Sequence, residues 1–170
     1  MLDAIPDGLP VRVRIFLSWC RQDISLKEAL LADLLPALGN FNDLAVDWWE
    51  DSHLTCGEEL VPGIVDRLGE ADFGVLLLSG RYFARPFIRE HELPRFVGPK
   101  PDKRALPVAL RPLPGFGPEH DFGGIERYAV FFWHGRSFAD LHGASRTHFA
   151  NELAGSIRRR ARRPNGYRPL

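Results

Sequence analysis

Glu92 is the residue whose type and setting point most directly to chemistry. It lies in the stretch Phe87-Ile88-Arg89-Glu90-His91-Glu92-Leu93-Pro94-Arg95-Phe96-Val97. There Ile88, Glu92 and Phe96 recur every four positions and share one face of a helix predicted over about 87–97. A carboxylate between two apolar neighbours is either an edge residue leaning into solvent or a group held in a pocket. Spacing alone leaves both open, and the first is commoner, since carboxylates are seldom buried without a partner. The segment leading to it begins where the most apolar run of the chain, Phe73 to Leu78, gives way to Ser79-Gly80. A buried strand that ends in this way delivers polar groups to one edge of a sheet. In open α/β sheets, ligands bind at the edge outside the carboxyl ends of the strands.

Other constellations fail on their own chemistry. A phospho-accepting receiver needs acids ending the first strand and an Asp ending the third, where this chain has Ser18-Trp19 and Ser79-Gly80. No GxGxxG follows the first strand and no GxxxxGK[ST] occurs, which removes dinucleotide-fold and P-loop readings. GxSxG is absent, so Ser79 with one of the six histidines does not make a hydrolase elbow. His91, His134, His142 and His148 read as surface or packed residues, and Trp48-Trp49 as sheet packing with one exposed ring. Cys20 and Cys56 form neither a disulfide framework nor a zinc spacing, so no metal is expected.

The elements that must carry these residues alternate. Val11 to Leu17 reads as a first strand, alternating and then wholly apolar as a central strand would be. Leu26, Leu30, Leu34 and Leu38, flanked by Leu31 and Leu35, give a helical stripe ending at Gly39-Asn40. Leu44 to Trp49 is a second strand. A loop of acids and small residues follows to Gly57, and Glu58 opens a helix with the stripe Val61, Ile64, Val65 and Leu68. Pro62 is tolerable there because it falls near the first turn, and Glu58-Glu59 suit the positive end of the dipole. Phe73–Leu78, Ala105–Leu110 and Ala129–Trp133 are the third, fourth and fifth strands, with a Gly- and Pro-rich loop over 112–124. Phe149, Leu153 and Ile157 mark a last helix. This alternation predicts an α/β fold: a flavodoxin-like three-layer sandwich with a five-stranded parallel sheet, order 2-1-3-4-5, and helices on both faces.

The totals set outer limits. The chain has 170 residues, enough for one domain with a substantial core, and its 45% apolar and 26% charged content is that of a globular protein. Lys plus Arg (22) balances Asp plus Glu (22), so no global field draws in nucleic acid. The exception is Arg158-Arg159-Arg160-Ala161-Arg162-Arg163, read as a solvated helix end near its favourable dipole. The reading divides the chain into a lead (1–10), a domain (11–157) and a basic tail or linker (158–170). Pro164-Asn165-Gly166 marks either the end of a complete small protein or a link to a further domain. No signal pattern is visible over Met1–Pro10 and no apolar run nears the roughly 20 residues of a membrane helix. A cytoplasmic protein without membrane contact is therefore expected.

Five stretches, in order and on matching elements, carry a family resemblance. Ile15-Phe16-Leu17-Ser18-Trp19 resembles the first-strand motif of Toll/interleukin-1 receptor (TIR) domains. Trp49-Glu50-Asp51-Ser52-His53-Leu54-Thr55-Cys56-Gly57-Glu58-Glu59 is similar to the BB-loop pattern of bacterial members. Leu76-Leu77-Leu78-Ser79 with Tyr82-Phe83-Ala84 resembles the third strand and its exit, and Phe87-Ile88-x-x-x-Glu92-Leu93-Pro94 the helix that bears the catalytic glutamate of TIR enzymes. Pro107-Val108-Ala109-Leu110-Arg111 fits the fourth strand, and the resemblance spans roughly Val11 to Ile157.

This resemblance implies one of two roles. Many bacterial and plant TIR domains hydrolyse the nicotinamide–ribose bond of NAD⁺, in antiphage defence or cell-death signalling. Many animal TIR domains are non-catalytic adaptors that pair with other TIR domains. The matching glutamate, Glu92, favours the first, with NAD⁺ as substrate, no other cofactor, and activation by self-association through the BB loop (50–59). By position, Phe16, Trp19 and Arg21 would face the nucleotide, Gly57 would border the pocket, and Ser79, Phe87 and Ile88 would line it. Two departures stand out: Ile88 occupies a position that is often Trp, and Leu60 one that is often aromatic. A weaker third reading is nucleoside 2-deoxyribosyl transfer, which would want a second acid near the base.

Overall fold

In the computed structural model, which describes residues 9–50, 60–97, 101, 103–113 and 119–162, four parallel strands form one sheet. They are β1 (Val11–Ser18), β2 (Leu44–Trp49), β3 (Phe73–Leu78) and β4 (Arg104–Ala109), ordered β2-β1-β3-β4. Ile15 of β1 pairs with Trp48 on one side and Phe73 on the other. The helices are α1 (Ile24–Gly39), α2 (Leu60–Glu70), the single turn α3 (Gly80–Phe83), α4 (Leu93–Val97) and α5 (Ala144–Ala161). A π-turn, Ile88–Glu92, leads directly into α4.

Strand alternation sorts the core into two layers, since successive side chains leave opposite faces. Val13, Ile15 and Leu17 of β1 join Phe73, Val75 and Leu77 of β3 beneath α1 and α5. Phe16 of β1 joins Leu76 and Leu78 of β3 on the other face, with α2, α3 and α4. Gly74 lies on that second face because Phe96 needs the space: a Cβ there would stand 2.4 Å from the ring. Phe96 is 1% exposed, and burying such a ring contributes roughly 1.5–3 kcal/mol.

The buried face of α1 differs from the leucine stripe. It comprises Lys27, Leu30, Leu34 and Leu38, while Leu26 and Leu31 are half-buried and Leu35 is exposed. The helix is rotated so that a lysine enters the apolar face, where Glu50 receives it.

The expected fifth strand is a correction. Over 129–133 the chain makes a single parallel bridge, Val108 to Phe131. Phe131 N–H donates to the Pro107 carbonyl at 2.8 Å and its carbonyl accepts from Ala109 N–H at 3.0 Å. Continuing the ladder toward Ala129 would need an N–H from Pro107, which proline lacks. Toward the other end, Trp133 N–H is spent on the Arg136 carbonyl at 3.0 Å, across a tight turn in which His134 and Gly135 have φ of 49° and 72°. Both directions of growth are blocked, and the sheet has four strands.

The expected last helix extends past the predicted domain boundary. α5 runs through Arg158–Arg160 to Ala161, and Ile157 and Ala161 are both buried. Arg158 donates from Nε to Asp43 at 3.0 Å and from Nη2 to the other oxygen, and Arg162 binds that same oxygen. Part of the basic run thus clamps the turn before β2. No described helix is long and apolar enough to cross a membrane.

Candidate active site at the carboxyl edge of the sheet

The chain leaves β1 for β2 on one side and later returns to β3 on the other. The carboxyl ends of β1 and β3 therefore flank the switch point where open α/β sheets bind ligands. Ser18 ends β1 and Ser79 follows β3, and alternation sends them to opposite faces. Ser18 follows Phe16 onto the α4 side, while Ser79 follows Leu77 onto the α1 side.

On the α4 side, Ser18 Oγ donates to Glu92 Oε2 and lies 2.8 Å from the Tyr82 hydroxyl. All three are buried: Glu92 is 6% exposed, Ser18 1% and Tyr82 0%. Tyr82 is placed by a cap, because Ser79 Oγ accepts its N–H at 3.1 Å and so starts α3. Its ring meets Phe83 edge-on, with centroids 5.4 Å apart. Burial first, and the Glu92 carboxylate second, push the Tyr82 phenol well above its ordinary pKa, against a smaller opposing effect of the Ser18 hydrogen bond. The phenol is held protonated.

Glu92 sits at the end of the π-turn, where Leu93 N–H reaches back five residues to the Ile88 carbonyl. The continuous helix expected over 87–97 is thus widened by one turn, a feature that recurs at functional sites. Ile88, Glu92 and Phe96 are nevertheless all buried. Arg89 braces the turn, donating from Nε to the Phe83 carbonyl at 2.5 Å and from Nη2 to the Asp121 carbonyl at 2.6 Å. The Gly123 N–H, with Arg89 adding to it, holds the Asp121 carboxyl below its usual value.

On the α1 side, Ser79 Oγ donates to Asp23 Oδ2 at 2.5 Å, and Arg111 Nε donates to Asp23 Oδ1 at 2.6 Å. The Asp23 side chain is fully buried. One hydroxyl, that of Ser79, therefore links the Asp23–Arg111 pair to the helix turn carrying Tyr82. Beyond β1, Lys27 Nζ donates to Glu50 Oε1 at 2.9 Å and stands 4.3 Å from the centre of the Trp19 ring. Trp19 Nε1 is buried and has no hydrogen-bond acceptor among the described residues.

The expected site residues divide into four groups. Glu92 and Trp19 lie at the carboxyl edge, as does the exposed Arg21 on a short turn over Arg21–Asp23. Phe87 is half-buried, its ring 4.8 Å from that of His91. Phe16, Ile88 and Ser79 are core residues, 1%, 4% and 0% exposed. Phe16 stacks on Trp49 at 5.2 Å and supports the edge from beneath instead of presenting a face to solvent. Gly57 and the loop over 51–59 lie outside the described residues. Sequence reasoning missed Ser18, Tyr82, Asp23 and Arg111 as a network. The available signal was that hydroxyls and charges cluster where three apolar strands stop.

Among the described residues no group of three or more His, Cys, Asp or Glu could hold a metal ion. A groove lined by Arg14, Trp48, Trp49, Arg67 and Glu70 opens beside β2, and none of the residues around Glu92 lines it. No protein-family model matches the chain, and no curated protein matches it in sequence.

Proposed function

We propose that the protein is an NAD⁺ hydrolase of TIR type with Glu92 as its catalytic carboxylate. The observation that carries this reading is a buried carboxylate, bonded to a strand-end serine, at the switch point of a parallel sheet. The order β2-β1-β3-β4 is compatible with the flavodoxin-like sandwich that the motif resemblance implies.

The chemistry asks little of the protein. Cleavage of the bond between C1′ and the pyridinium nitrogen sends its electron pair to that nitrogen, so nicotinamide leaves neutral and needs no general acid. Positive charge develops on the ribose, as in glycoside hydrolysis. A fixed carboxylate that accepts hydrogen bonds from the ribose hydroxyls stabilises that charge. Water then adds to C1′ and loses a proton, giving ADP-ribose, or an internal nucleophile adds and gives a cyclised product. With Ile88 in the core, stacking on the leaving ring falls to Trp19 or Phe87. Assembly through the loop at 50–59, a cytoplasmic setting and a role in bacterial defence or cell-death signalling belong to the same proposal.

One observation favours the alternative, a non-catalytic TIR adaptor: Glu92 is only 6% exposed and already bonded to Ser18, as a structural acid would be. Nicotinamide release from NAD⁺, measured with the protein concentrated on beads beside Glu92→Ala, separates the two. Release by the wild type and none by the variant supports the hydrolase. Equal release by both removes Glu92 from the mechanism, and none by either leaves the adaptor.

A further inference from the structure

Resting on the hydrolase reading, we propose that Ser18 is the positioning residue of the site, its hydroxyl backed by that of Tyr82 and aiming the Glu92 carboxylate at the substrate. The proton count sets the direction of this chain. Ser18 has one hydroxyl proton, and it is donated to Glu92 Oε2. The 2.8 Å contact between Ser18 and Tyr82 must then use the proton of Tyr82. That proton is retained, because the phenol is fully buried beside an acid. Two O–H dipoles therefore point the same way, toward one carboxylate oxygen, and aligned hydrogen bonds of this kind strengthen one another in a buried setting.

Geometry adds the need for such an anchor. The π-turn fixes the backbone of Glu92, through the Leu93 N–H to the Ile88 carbonyl, but three rotatable bonds separate that backbone from the carboxylate. A glutamate so attached samples several rotamers unless its far end is held. Ser18 supplies the hold from the middle of the sheet, 74 residues away in the chain and at the last position of a central strand. Sites built on strands are more precisely placed than sites on loops. Tyr82 in turn is fixed by the Ser79 cap, so each member of the chain is set by a strand end.

The test is steady-state nicotinamide release by wild type, Ser18→Ala, Ser18→Thr and Tyr82→Phe, each confirmed folded by its melting curve. A hydrogen bond to a charged acceptor corresponds to about a ten- to hundredfold rate effect. Ser18→Ala is expected to lose that much in kcat with KM little changed, and Ser18→Thr, which keeps the hydroxyl, to regain most of it. Tyr82→Phe, which leaves the Ser18 bond in place, is expected to lose only a few fold. Wild-type or higher kcat in Ser18→Ala would overturn the proposal, since the contact would then be idle or a restraint. Equal loss in the alanine and threonine variants would also overturn it, as the role would be packing. If Ser18→Ala does not fold, an unchanged kcat in Tyr82→Phe overturns it and a loss in kcat alone supports it. A wild type that releases no nicotinamide is a different result: the hydrolase reading falls, and this inference with it.

Discussion

Lys27 and Glu50 form a buried ion pair, 2.9 Å from Nζ to Oε1, that joins the first turns of α1 to the residue directly after β2. Their side chains are 9% and 10% exposed, so water screens the pair little. The pair also loads the face of Trp19 with a cation.

Breaking this pair from one side is expected to cost more than removing both charges. Lys27→Met takes the lysine cation away from the buried Glu50 carboxylate, at a cost of up to about 3–5 kcal/mol, whereas exchanging a buried pair for apolar residues of similar volume is often close to neutral. Urea unfolding of wild type, Lys27→Met, Glu50→Leu and the double variant should show the double more stable than at least one single. A double variant as unstable as the sum of the singles would sink this account.

Much of this architecture is legible in the residues. Val11–Leu17, alternating and then apolar, and the wholly apolar Phe73–Leu78 read as inner strands of a sheet, and both form as such. Ile88 and Phe96 bury as their spacing predicts, and Glu92 buries with them, the less common of the two settings that spacing leaves open for a carboxylate. What spacing does not carry is partnership. Ser18 and Tyr82 are 64 residues apart, and Asp23 and Arg111 are 88 apart, so only the sheet order brings them together. Lys27 on the inner face of α1 is explained by Glu50, which no helical periodicity reveals. The fifth strand failed for a local reason in a neighbouring strand, the missing N–H of Pro107. That loss is invisible when 129–133 is read by itself.

Acid should loosen the α5 clamp. The side-chain hydrogen bond from Arg158, with the Arg158 and Arg162 charges, holds the Asp43 carboxyl below its ordinary value despite some opposing desolvation. A folded-state pKa below the unfolded one means that this contribution is complete above the unfolded value. It is lost as pH falls through the folded one. Between about pH 5 and pH 2, the melting temperature of wild type should therefore fall more steeply than that of Asp43→Asn. The two should converge at high salt, since the clamp is partly exposed. Parallel melting curves across that range would show the clamp contributes nothing.

Glu92→Gln separates a functional acid from a structural one on a single sample. The amide keeps an acceptor oxygen for the Ser18 hydroxyl and nearly the same volume, while removing a charge from a site that is 6% exposed. Two effects oppose one another. Losing a hydrogen bond to a charged acceptor costs more than losing one to a neutral acceptor, by about 1 kcal/mol. Burying a neutral amide in place of a carboxylate recovers desolvation of about that order, since an ionised group is the dearer to take out of water. Stability is therefore expected to change by less than about 1 kcal/mol in either direction. Under the proposed hydrolase mechanism catalysis would have no such compensation, because a neutral amide cannot stabilise the positive charge that would develop on the ribose. The expected outcome is a melting temperature within a few degrees of wild type and nicotinamide release reduced by about a hundredfold or more. A Glu92→Gln protein that unfolds several degrees early yet releases nicotinamide at the wild-type rate would mark Glu92 as an anchor for Ser18 and nothing further.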